Sequence, residues 1–440
     1  MDRRSRVFAL SALLVLVSAF IGLQAVFAAP AATVDASDGV GAIDDGSNGS
    51  VYEAHAGNTL IGVQSYGDEF EGRVIEVTPD GEVVWEYDAP NSRVFDVELL
   101  ENGNVLASIA TQRSDAACPD EYTNDGHPGC VQNRVVELDY ETKEEVWNYS
   151  WYDVFVHNHE VHDADRLPSG ETAIIDMGNN RAFTVDAEGE ITWEWHARPH
   201  LGEGSDFDAE YGAPAYTGPE NDWTHMNDID LLDNGNFQMS IRNFDVVIEV
   251  DRETKAVVGV VGEPGNHSYL YEQHNPMRLN GTVLVADSEN DRVVEYDVET
   301  GERVWEYGQG VLWPRDADRL ANGHTLITDT FNDRVIELNE EGEVVWQYGG
   351  MSMPYAADRL GTPEETQVDA TGESLESKVD RGGLEKTIGT YVAWGRFVFP
   401  GWVRLEEFAA GLVGLLATVG VVVDLGVLAV SRLRQGGLTR

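Results

Sequence analysis

The sequence predicts an all-β fold made of repeated units of four short strands, with an apolar stretch at each end of the chain. A tryptophan-centred phrase recurs through the middle of the sequence, and an Asn-Gly or Ser-Gly turn precedes most copies. Helical periodicity is absent between these landmarks. Recurrence of a pattern about every forty residues is typical of folds that repeat one supersecondary unit.

The repeated phrases show how many strands each unit contains. A tryptophan strand of the form Gly/Glu-x-Val-x-Trp-x-Tyr follows an Arg-Val-Ile/Val-Glu strand, as in Arg334–Glu337. Further upstream, a turn such as Asn102-Gly103 separates two more apolar strands. The phrases centre on Trp85, Trp147, Trp193, Trp305 and Trp346. Four strands per copy is the composition of a blade in a β-propeller.

The incomplete first and last copies set the number of blades. The first copy, residues 58–87, lacks an innermost strand, whereas Tyr355–Leu360 is an innermost strand without the other three. Together they make one blade, which brings the total to six and leaves no sheet edge open. We therefore expect a six-bladed β-propeller over residues 51–360, with the 355–360 strand in the same sheet as residues 60–63.

Two apolar stretches predict attachment to a membrane. Residues 7–29 and 408–430 carry almost no charge, and arginines stand on the outer side of both. Each stretch can span roughly 30 Å of hydrocarbon, although the first would also serve as a secretory signal. The basic flanks predict a protein of the cell membrane with both termini in the cytoplasm, the propeller outside and the lipid bilayer as a partner.

The segments outside the propeller are distinguished by composition. They are a signal-anchor or transmembrane helix (1–29), a spacer (30–50), a polar linker (361–390), an interfacial aromatic segment (391–407), a transmembrane helix (408–430) and a basic cytoplasmic tail (431–440).

The charge balance argues against one class of partner. The chain has 29 Lys and Arg against 78 Asp and Glu, for a formal net charge of −49. Such a surface repels phosphate backbones, so nucleic acid is not an expected partner. The excess of acid with few lysines is typical of halophilic archaea, where it serves solvation.

Two cysteines lie close together in a loop rich in Pro, Gly, Asp and Asn. Outside the cell, such a pair predicts one structural disulfide between Cys118 and Cys130. A metal site is the lesser alternative, because only one histidine lies nearby.

Alignment of the copies places six residues at the start of the innermost strands, which line the channel of a propeller at one face. These residues are Phe95, His162, Asn227, His274, Arg315 and Tyr355. His225, two positions before Asn227, is expected to point the same way because side chains alternate along a strand. Copies of one unit would ordinarily carry similar residues there, so histidine and arginine at these positions favour chemistry. The alternative is a set of satisfied polar residues lining a wet channel.

Three motifs follow one another in this part of the chain: 223–229 (WTHMNDI), 240–243 (SIRN) and 273–276 (QHNP). Within a six-bladed propeller, they resemble the arylsulfate sulfotransferases. The resemblance implies that His274 is the nucleophile that takes a sulfuryl group from an aryl sulfate and passes it to a phenol, without metal or other cofactor. It further implies that His162, His225, Asn227 and Arg242 hold the sulfuryl oxygens or handle protons. We assign Arg315, Tyr355 and Phe95 to substrate binding because they complete the ring.

The chemistry of the residues agrees with that resemblance. Sulfuryl transfer moves a group with three electron-rich oxygens, so it needs a neutral nitrogen nucleophile and several fixed donors. A non-catalytic propeller that binds a ligand or partner at the cell surface stays open, because the fold hosts both classes. A quinone-dependent dehydrogenase ranks third, since it normally has eight blades and a longer chain.

Two other groups of residues offer metal ligands, and the sequence favours them less. His157 and His159 would share one face of a strand, as chelating residues do. The phrases Asp163-Ala164-Asp165 and Asp316-Ala317-Asp318 offer calcium ligands, but they recur with the repeat and are expected to be turn and strand scaffolding.

Overall fold

A computed structural model describes residues 10, 11, 13, 14, 57–65, 71–123, 129–154, 157–218, 221–361, 375–379 and 405–436. The acidic spacer lies outside these residues, and so does the larger part of the first apolar stretch, of the polar linker and of the aromatic segment. The chain divides into two compact units, one of Ala31–Arg381 and one of Met1–Pro30 with Gly382–Arg440.

The unit Ala31–Arg381 is mostly β, with short helices only in its connections. Its described strands are β1 (Thr59–Val63), β2 (Glu71–Val77), β3 (Val83–Pro90), β4 (Ser92–Leu99), β5 (Val105–Arg113), β6 (Cys130–Leu138), β7 (Glu145–Asp153), β8 (Val161–Arg166), β9 (Thr172–Asp176), β10 (Arg181–Val185), β11 (Ile191–His196), β12 (Met226–Leu231), β13 (Phe237–Ile241), β14 (Val246–Val250), β15 (Val257–Gly262), β16 (His274–Arg278), β17 (Thr282–Asp287), β18 (Arg292–Asp297), β19 (Arg303–Tyr307), β20 (Asp316–Arg319), β21 (Thr325–Asp329), β22 (Arg334–Leu338), β23 (Val344–Gly349) and β24 (Pro354–Arg359). Its helices are α1 (Asp120–Thr123), α2 (Ala197–Leu201) and α3 (Asp206–Tyr211).

These strands form six antiparallel groups of four, which we name S1 to S6. S1 has the order β24-β1-β2-β3; S2 is β4 to β7, S3 β8 to β11, S4 β12 to β15, S5 β16 to β19 and S6 β20 to β23. A single parallel pair, Glu71 with Ser92, joins S1 and S2 into one eight-stranded sheet.

The C-terminal strand completes the first sheet, as the incomplete copies predicted. In β24, Arg359 pairs with Thr59 and Asp358 pairs with Leu60 of β1. The two ends of the repeat region are thus joined by backbone hydrogen bonds, and this prediction is confirmed.

The apolar core consists of clusters that lie between successive sheets. Leu106 of S2 shares a cluster with Phe183 of S3, and further clusters join S3 to S4, S4 to S5 and S5 to S6. Ile61 of S1 shares a cluster with Trp346 of S6, and another cluster joins S1 to S2. The sheets therefore follow one another in cyclic order, which is a propeller-like arrangement, although among the described strands no single sheet closes on itself.

The repeated tryptophans fasten one sheet to the next. Trp85 in β3 donates its Nε1 hydrogen to the carbonyl of Tyr140 in S2, at 2.6 Å. Trp346 in β23 donates to the carbonyl of Pro79 in S1, at 2.8 Å. The equivalent bonds run from Trp147 to Ala187 and from Trp193 to Arg252. Each tryptophan phrase therefore forms a strand of its own sheet and also contacts the next sheet.

Part of the segment expected to be a linker is bound to the sheets. Trp305 donates its Nε1 hydrogen to the carbonyl of Glu376, at 3.3 Å, and Lys378 forms a bridge with Tyr307 at the end of β19. The amide of Glu376 donates to the carbonyl of Glu340 in S6, at 3.1 Å. Residues 375–379 therefore fill the place between S5 and S6 where the other tryptophans meet the next sheet directly.

The disulfide prediction is confirmed. Cys118 and Cys130 are bonded, and their Cα atoms lie 6.0 Å apart. The bond ties the connection after β5 to the first residue of β6.

The second apolar stretch is helical in its own unit, within α4 (Leu405–Gly436). Of the helices in the described part of the chain, none is sufficiently long and apolar to cross a membrane.

Candidate functional site

The six aligned residues lie at or next to irregularities in the pairing of the first strands. Phe95, His162, Asn227 and Tyr355 each fall where the pairing of the first strand skips a residue, while His274 begins β16 and Arg315 immediately precedes β20. Bulges of this kind re-aim a side chain away from its regular direction. All six residues are buried, with at most 6 % of any of them exposed.

Four of the other five side chains lie around Tyr355. Its ring centroid lies 5.1 Å from Phe95, 5.6 Å from His162 and 5.9 Å from His274. The Arg315 guanidinium carbon lies 5.6 Å from the same ring. The alignment of repeats therefore predicted a true spatial cluster.

His225 reaches this cluster by a different route from the one expected. Its ring lies 5.2 Å from that of His162, but β12 begins only at Met226, so strand alternation does not orient it. Its backbone is left-handed, with φ 46°. The residues two positions before His274, Arg315 and Tyr355 share that conformation, so it belongs to the repeat.

His225 is held by a carboxylate that the sequence did not single out. Its Nδ1 hydrogen is donated to Oδ2 of Asp222, at 2.5 Å, which leaves Nε2 as the free nitrogen. Burial and the nearby Arg242 lower the pKa of His225, while Asp222 acts in the opposite sense. The imidazole is therefore neutral near pH 7 and able to accept a proton.

Arg242 occupies a position that carries hydroxyl residues elsewhere in the repeat. It begins the 3₁₀ turn after β13, whereas Ser288 and Thr330 begin the equivalent turns after β17 and β21. It donates to Glu272 and, at 3.0 Å, to Asn243 Oδ1. Its Nε is buried without a hydrogen-bond partner. Glu272 is a second partner that sequence reasoning missed.

A short chain of hydrogen bonds defines the state of His274. Its Nδ1 lies 2.8 Å from Ser288 Oγ, which lies 2.6 Å from the carbonyl of Pro314. A carbonyl only accepts, so the single hydroxyl hydrogen belongs to that bond, and Ser288 then accepts from Nδ1–H. The lone pair is thereby assigned to Nε2, which is buried and has no partner.

Arg315 stands against the same imidazole. Its Nη1 lies 3.0 Å from Nδ1 of His274, and a donation there would move the imidazole proton to Nε2. The Ser288 bond opposes that tautomer. Burial and the Arg315 charge hold the pKa of His274 well below its ordinary value, so it is neutral. Burial also lowers the pKa of Arg315 to about 9, which leaves the guanidinium charged at pH 7.

Asn227 and Phe95 each contact another residue of the site. Asn227 donates its Nδ2 hydrogen to the carbonyl of Gln273, at 2.9 Å, and so fixes the backbone just before His274. The Phe95 ring is tilted against that of His162, with the centroids 4.3 Å apart, and His162 bonds through Nδ1 to the carbonyl of Glu160 at 3.2 Å. Asn227 therefore holds the backbone before His274, and Phe95 forms an apolar wall beside His162.

Several buried donors of the site lack a partner. They are the Nε atoms of Arg242 and Arg315 and the hydroxyl of Tyr355. A buried polar group left unsatisfied costs about 1–3 kcal/mol, so such groups call for an explanation. Donors that surround a neutral imidazole suit an anion with several oxygens, which would satisfy them together.

The histidines near residue 160 do not form the metal site considered above. His157 and His159 lie in a turn before β8, His157 is exposed, and His159 Nδ1 contacts Asp153 at 2.7 Å. In the described residues, Asp96, Asp163 and Asp165 form the one group of potential ligands close enough to share an ion.

The Ser288 bond can be tested by its removal. Ser288→Ala should lower kcat of the sulfuryl transfer proposed below by about tenfold or more, because the tautomer with a nucleophilic Nε2 loses its support. Thr330→Ala is the matched control, since Thr330 makes the equivalent bond to Pro354 at 2.9 Å. Steady-state kinetics of both variants measure the difference, and equal losses would show that the bond acts only on stability.

A family model described as Arylsulfotransferase (ASST) matches residues 94–279, less than half of the chain. A second model, described as Outer membrane protein assembly factor BamB, matches residues 239–383. A search of curated proteins found no match.

Solved structures resemble the chain at low identity. A protein of unknown function from Bacteroides caccae is 16 % identical over 69 % of this chain and 98 % of its own, with a TM-score of 0.47. The nidogen/laminin complex gives 10 % identity over 68 % and 97 %, with a TM-score of 0.42. A catalytically inactive virginiamycin B lyase from Staphylococcus aureus with quinupristin gives 13 % over 66 % and 84 %, with a TM-score of 0.39. Likeness at this level says nothing about activity.

The arylsulfotransferase match covers most of the candidate site. It contains Phe95, His162, His225, Asn227, Arg242 and His274. Arg315 and Tyr355 lie beyond its end, and only the geometry connects them to the other residues. The match suggests sulfotransferase activity for the part of the chain that carries the histidines.

Proposed function

We propose that the chain is a six-bladed β-propeller enzyme that transfers a sulfuryl group from an aryl sulfate to a phenol through a sulfohistidine at His274. The observation that carries the proposal is the buried, unpartnered Nε2 of His274, with the Nδ1 hydrogen assigned to Ser288. A neutral imidazole in that tautomer is a nitrogen nucleophile at neutral pH. The cyclic order of the six sheets supports the fold.

In the first half-reaction, the lone pair of His274 Nε2 attacks the sulfur. The new N–S bond forms as the S–O bond to the aryl group breaks, and the electron pair of that bond leaves on the phenolate oxygen. Negative charge grows on that oxygen, while the three sulfuryl oxygens remain in contact with the donors. Arg315 and Arg242 supply cationic N–H groups at this place, and Tyr355 supplies a neutral hydroxyl.

In the second half-reaction, the acceptor phenol attacks the sulfur of the sulfohistidine. His225 takes the phenol proton through Nε2 while Asp222 stabilises the imidazolium that forms. The O–S bond forms as the N–S bond breaks, which returns His274 to its neutral state. The proton on His225 then passes to water or to the phenolate that leaves in the next turnover.

The alternative function is a non-catalytic propeller that binds a ligand or a protein partner. The close packing of the site side chains around Tyr355 favours the enzyme over this binding module. A channel lined by unrelated polar residues would not need an imidazole nitrogen kept free beside a charged guanidinium. A protein partner would also need an exposed surface, whereas each of the six aligned residues of the site is at most 6 % exposed.

The proposal is tested with the full-length chain, a chromogenic aryl sulfate and a phenolic acceptor, at high salt because of the acidic composition. We expect phenolate release that accelerates with acceptor concentration and follows ping-pong kinetics, with the sulfated acceptor detected by mass spectrometry. Hydrolysis to inorganic sulfate at a rate independent of the acceptor would contradict transfer. No release from any of a panel of aryl sulfates would favour the binding module.

We also propose that the propeller faces the outside of the cell, with both termini in the cytoplasm. The support is the disulfide, which is typical of oxidising compartments, and the arginines that flank the two apolar stretches. Protease added to intact cells should then degrade the propeller and spare a tag placed after Arg440. A digested tag would contradict this topology.

A further inference from the structure

We propose that a second site, separate from the histidine cluster, binds one Ca²⁺ ion between the carboxylates of Asp96, Asp163, Asp165 and Asp228. These residues belong to the first strands of S2, S3 and S4, so the ion would connect three successive sheets. The proposal is independent of the sulfotransferase activity.

The carboxylates surround a cavity of about 50 Å³. That volume has room for an ion and a few waters. Its wall contains seven aspartates together with Asn275, Pro276 and Met277, and no lysine or arginine. The aspartates are Asp96, Asp163, Asp165, Asp228, Asp230, Asp316 and Asp318.

Three of the carboxylates already stand at ligand spacing. Asp96, Asp163 and Asp165 each offer an oxygen within 4.8 Å of the others. Oxygens that share one Ca²⁺ at 2.3–2.6 Å can be at most about 5 Å apart, so the spacing fits. Like charges in a buried site repel strongly, and a divalent cation would offset that repulsion.

Asp228 gives an independent indication, because its buried oxygen has lost the partner that the repeat normally provides. In the equivalent positions, Asp163 accepts from the amide of Ile229 at 2.6 Å, and Asp316 accepts from the amide of Ala357 at 2.8 Å. Each of these amides lies on the first strand of the next sheet. The residue facing Asp228 in that place is Pro276, which has no N–H to donate.

Asp228 Oδ2 is consequently buried without a hydrogen-bond partner, and the residue is only 6 % exposed. Asp228 lines the same cavity as the three carboxylates. Asp163 and Asp316 accept hydrogen bonds that connect neighbouring sheets, whereas Asp228 faces a proline and cannot make such a bond. A cation in the cavity gives this oxygen a partner, and an all-oxygen ligand set with waters is what Ca²⁺ prefers.

The test compares calcium binding by the full-length chain and its Asp228→Asn variant, after chelation and at constant ionic strength. We expect isothermal titration to give saturable binding near one ion per chain, with an affinity about tenfold or more weaker in the variant. The melting temperature of the unsubstituted protein should rise with Ca²⁺ by mass action. Without Ca²⁺, Asp228→Asn should melt at a higher temperature than the unsubstituted protein, because one of the crowded charges is gone.

Asp233→Asn is the matched control, since Asp233 is an exposed aspartate in the turn that follows the same strand. It should retain full affinity for Ca²⁺. Asp165→Asn repeats the comparison if Asp228→Asn does not fold. Three outcomes would overturn the proposal. They are absence of calcium binding by the unsubstituted protein, a melting temperature that does not change with Ca²⁺, and equal affinity for Ca²⁺ in the Asp228→Asn variant.

Discussion

Replacement of His274 by alanine is expected to abolish sulfuryl transfer, with a loss on the order of a thousandfold or more in kcat/KM. The reason is that the Ser288 bond assigns the lone pair of His274 to Nε2, which is buried without a partner on an imidazole beside Arg315. The His274→Ala variant should therefore form no covalent sulfohistidine. Mass spectrometry of a reaction quenched before the acceptor is added measures the intermediate directly.

The matched control is His196→Ala, whose side chain is about half exposed at the end of β11. It should keep the activity of the unsubstituted protein. Thermal melts of both variants establish that they are folded. Retention of transfer by His274→Ala, or a trapped sulfuryl group on His162 or His225, would show that another residue is the nucleophile.

Arg315→Gln is expected to lower kcat/KM by about a hundredfold and to change its pH dependence. In the proposed mechanism the guanidinium is a charged donor to the sulfuryl group, and its Nη1 lies 3.0 Å from Nδ1 of His274. Burial and Arg315 together hold the pKa of His274 well below its ordinary value, so the nucleophile stays neutral in mild acid. Loss of Arg315 raises that pKa, and His274 in the variant should become protonated at a higher pH as the solution is acidified.

A profile of kcat/KM against pH measures this effect. The acidic limb of the variant should move toward neutrality relative to that of the unsubstituted protein, because kcat/KM reports the free enzyme. Arg303→Gln, at the exposed start of β19, should leave both rate and profile unchanged. A lower rate with an unmoved limb would mean that Arg315 contacts substrate without controlling His274.

Much of the fold was predictable because it is a local pattern repeated many times. The Asn-Gly turns and the tryptophan phrases each mark one strand boundary, and recurrence of the set identified four-stranded units. Pairing of β24 with β1 followed from the incomplete end copies, and the structure contains it. By contrast, the docking of residues 375–379 between S5 and S6 carried no repeat signal and was expected to be linker.

The candidate site was predictable to the level of position. Alignment of the copies found Phe95, His162, His274, Arg315 and Tyr355, which do converge. The alignment did not give the roles of individual atoms, because these depend on which groups fold against each side chain, whether three residues away, as Asp222 is from His225, or 46, as Gln273 is from Asn227. Asn227 was expected among the groups that contact substrate, yet its donor is bound to a neighbouring backbone. Asp222, Glu272 and Ser288 carry no distinguishing motif and were missed.

The sequence by itself determined the all-β repeat, the joining of the two ends, the disulfide and the ring of residues at the head of the first strands. Each of these follows from short-range spacing that recurs along the chain. Only the tertiary structure decided which nitrogen of His274 is free and which aspartate has lost its amide partner to Pro276. Those properties depend on contacts that exist only in the folded chain, among them the bond from Ser288 to the carbonyl of Pro314 and the position of Asp228 beside Pro276, each of which joins one sheet to the next.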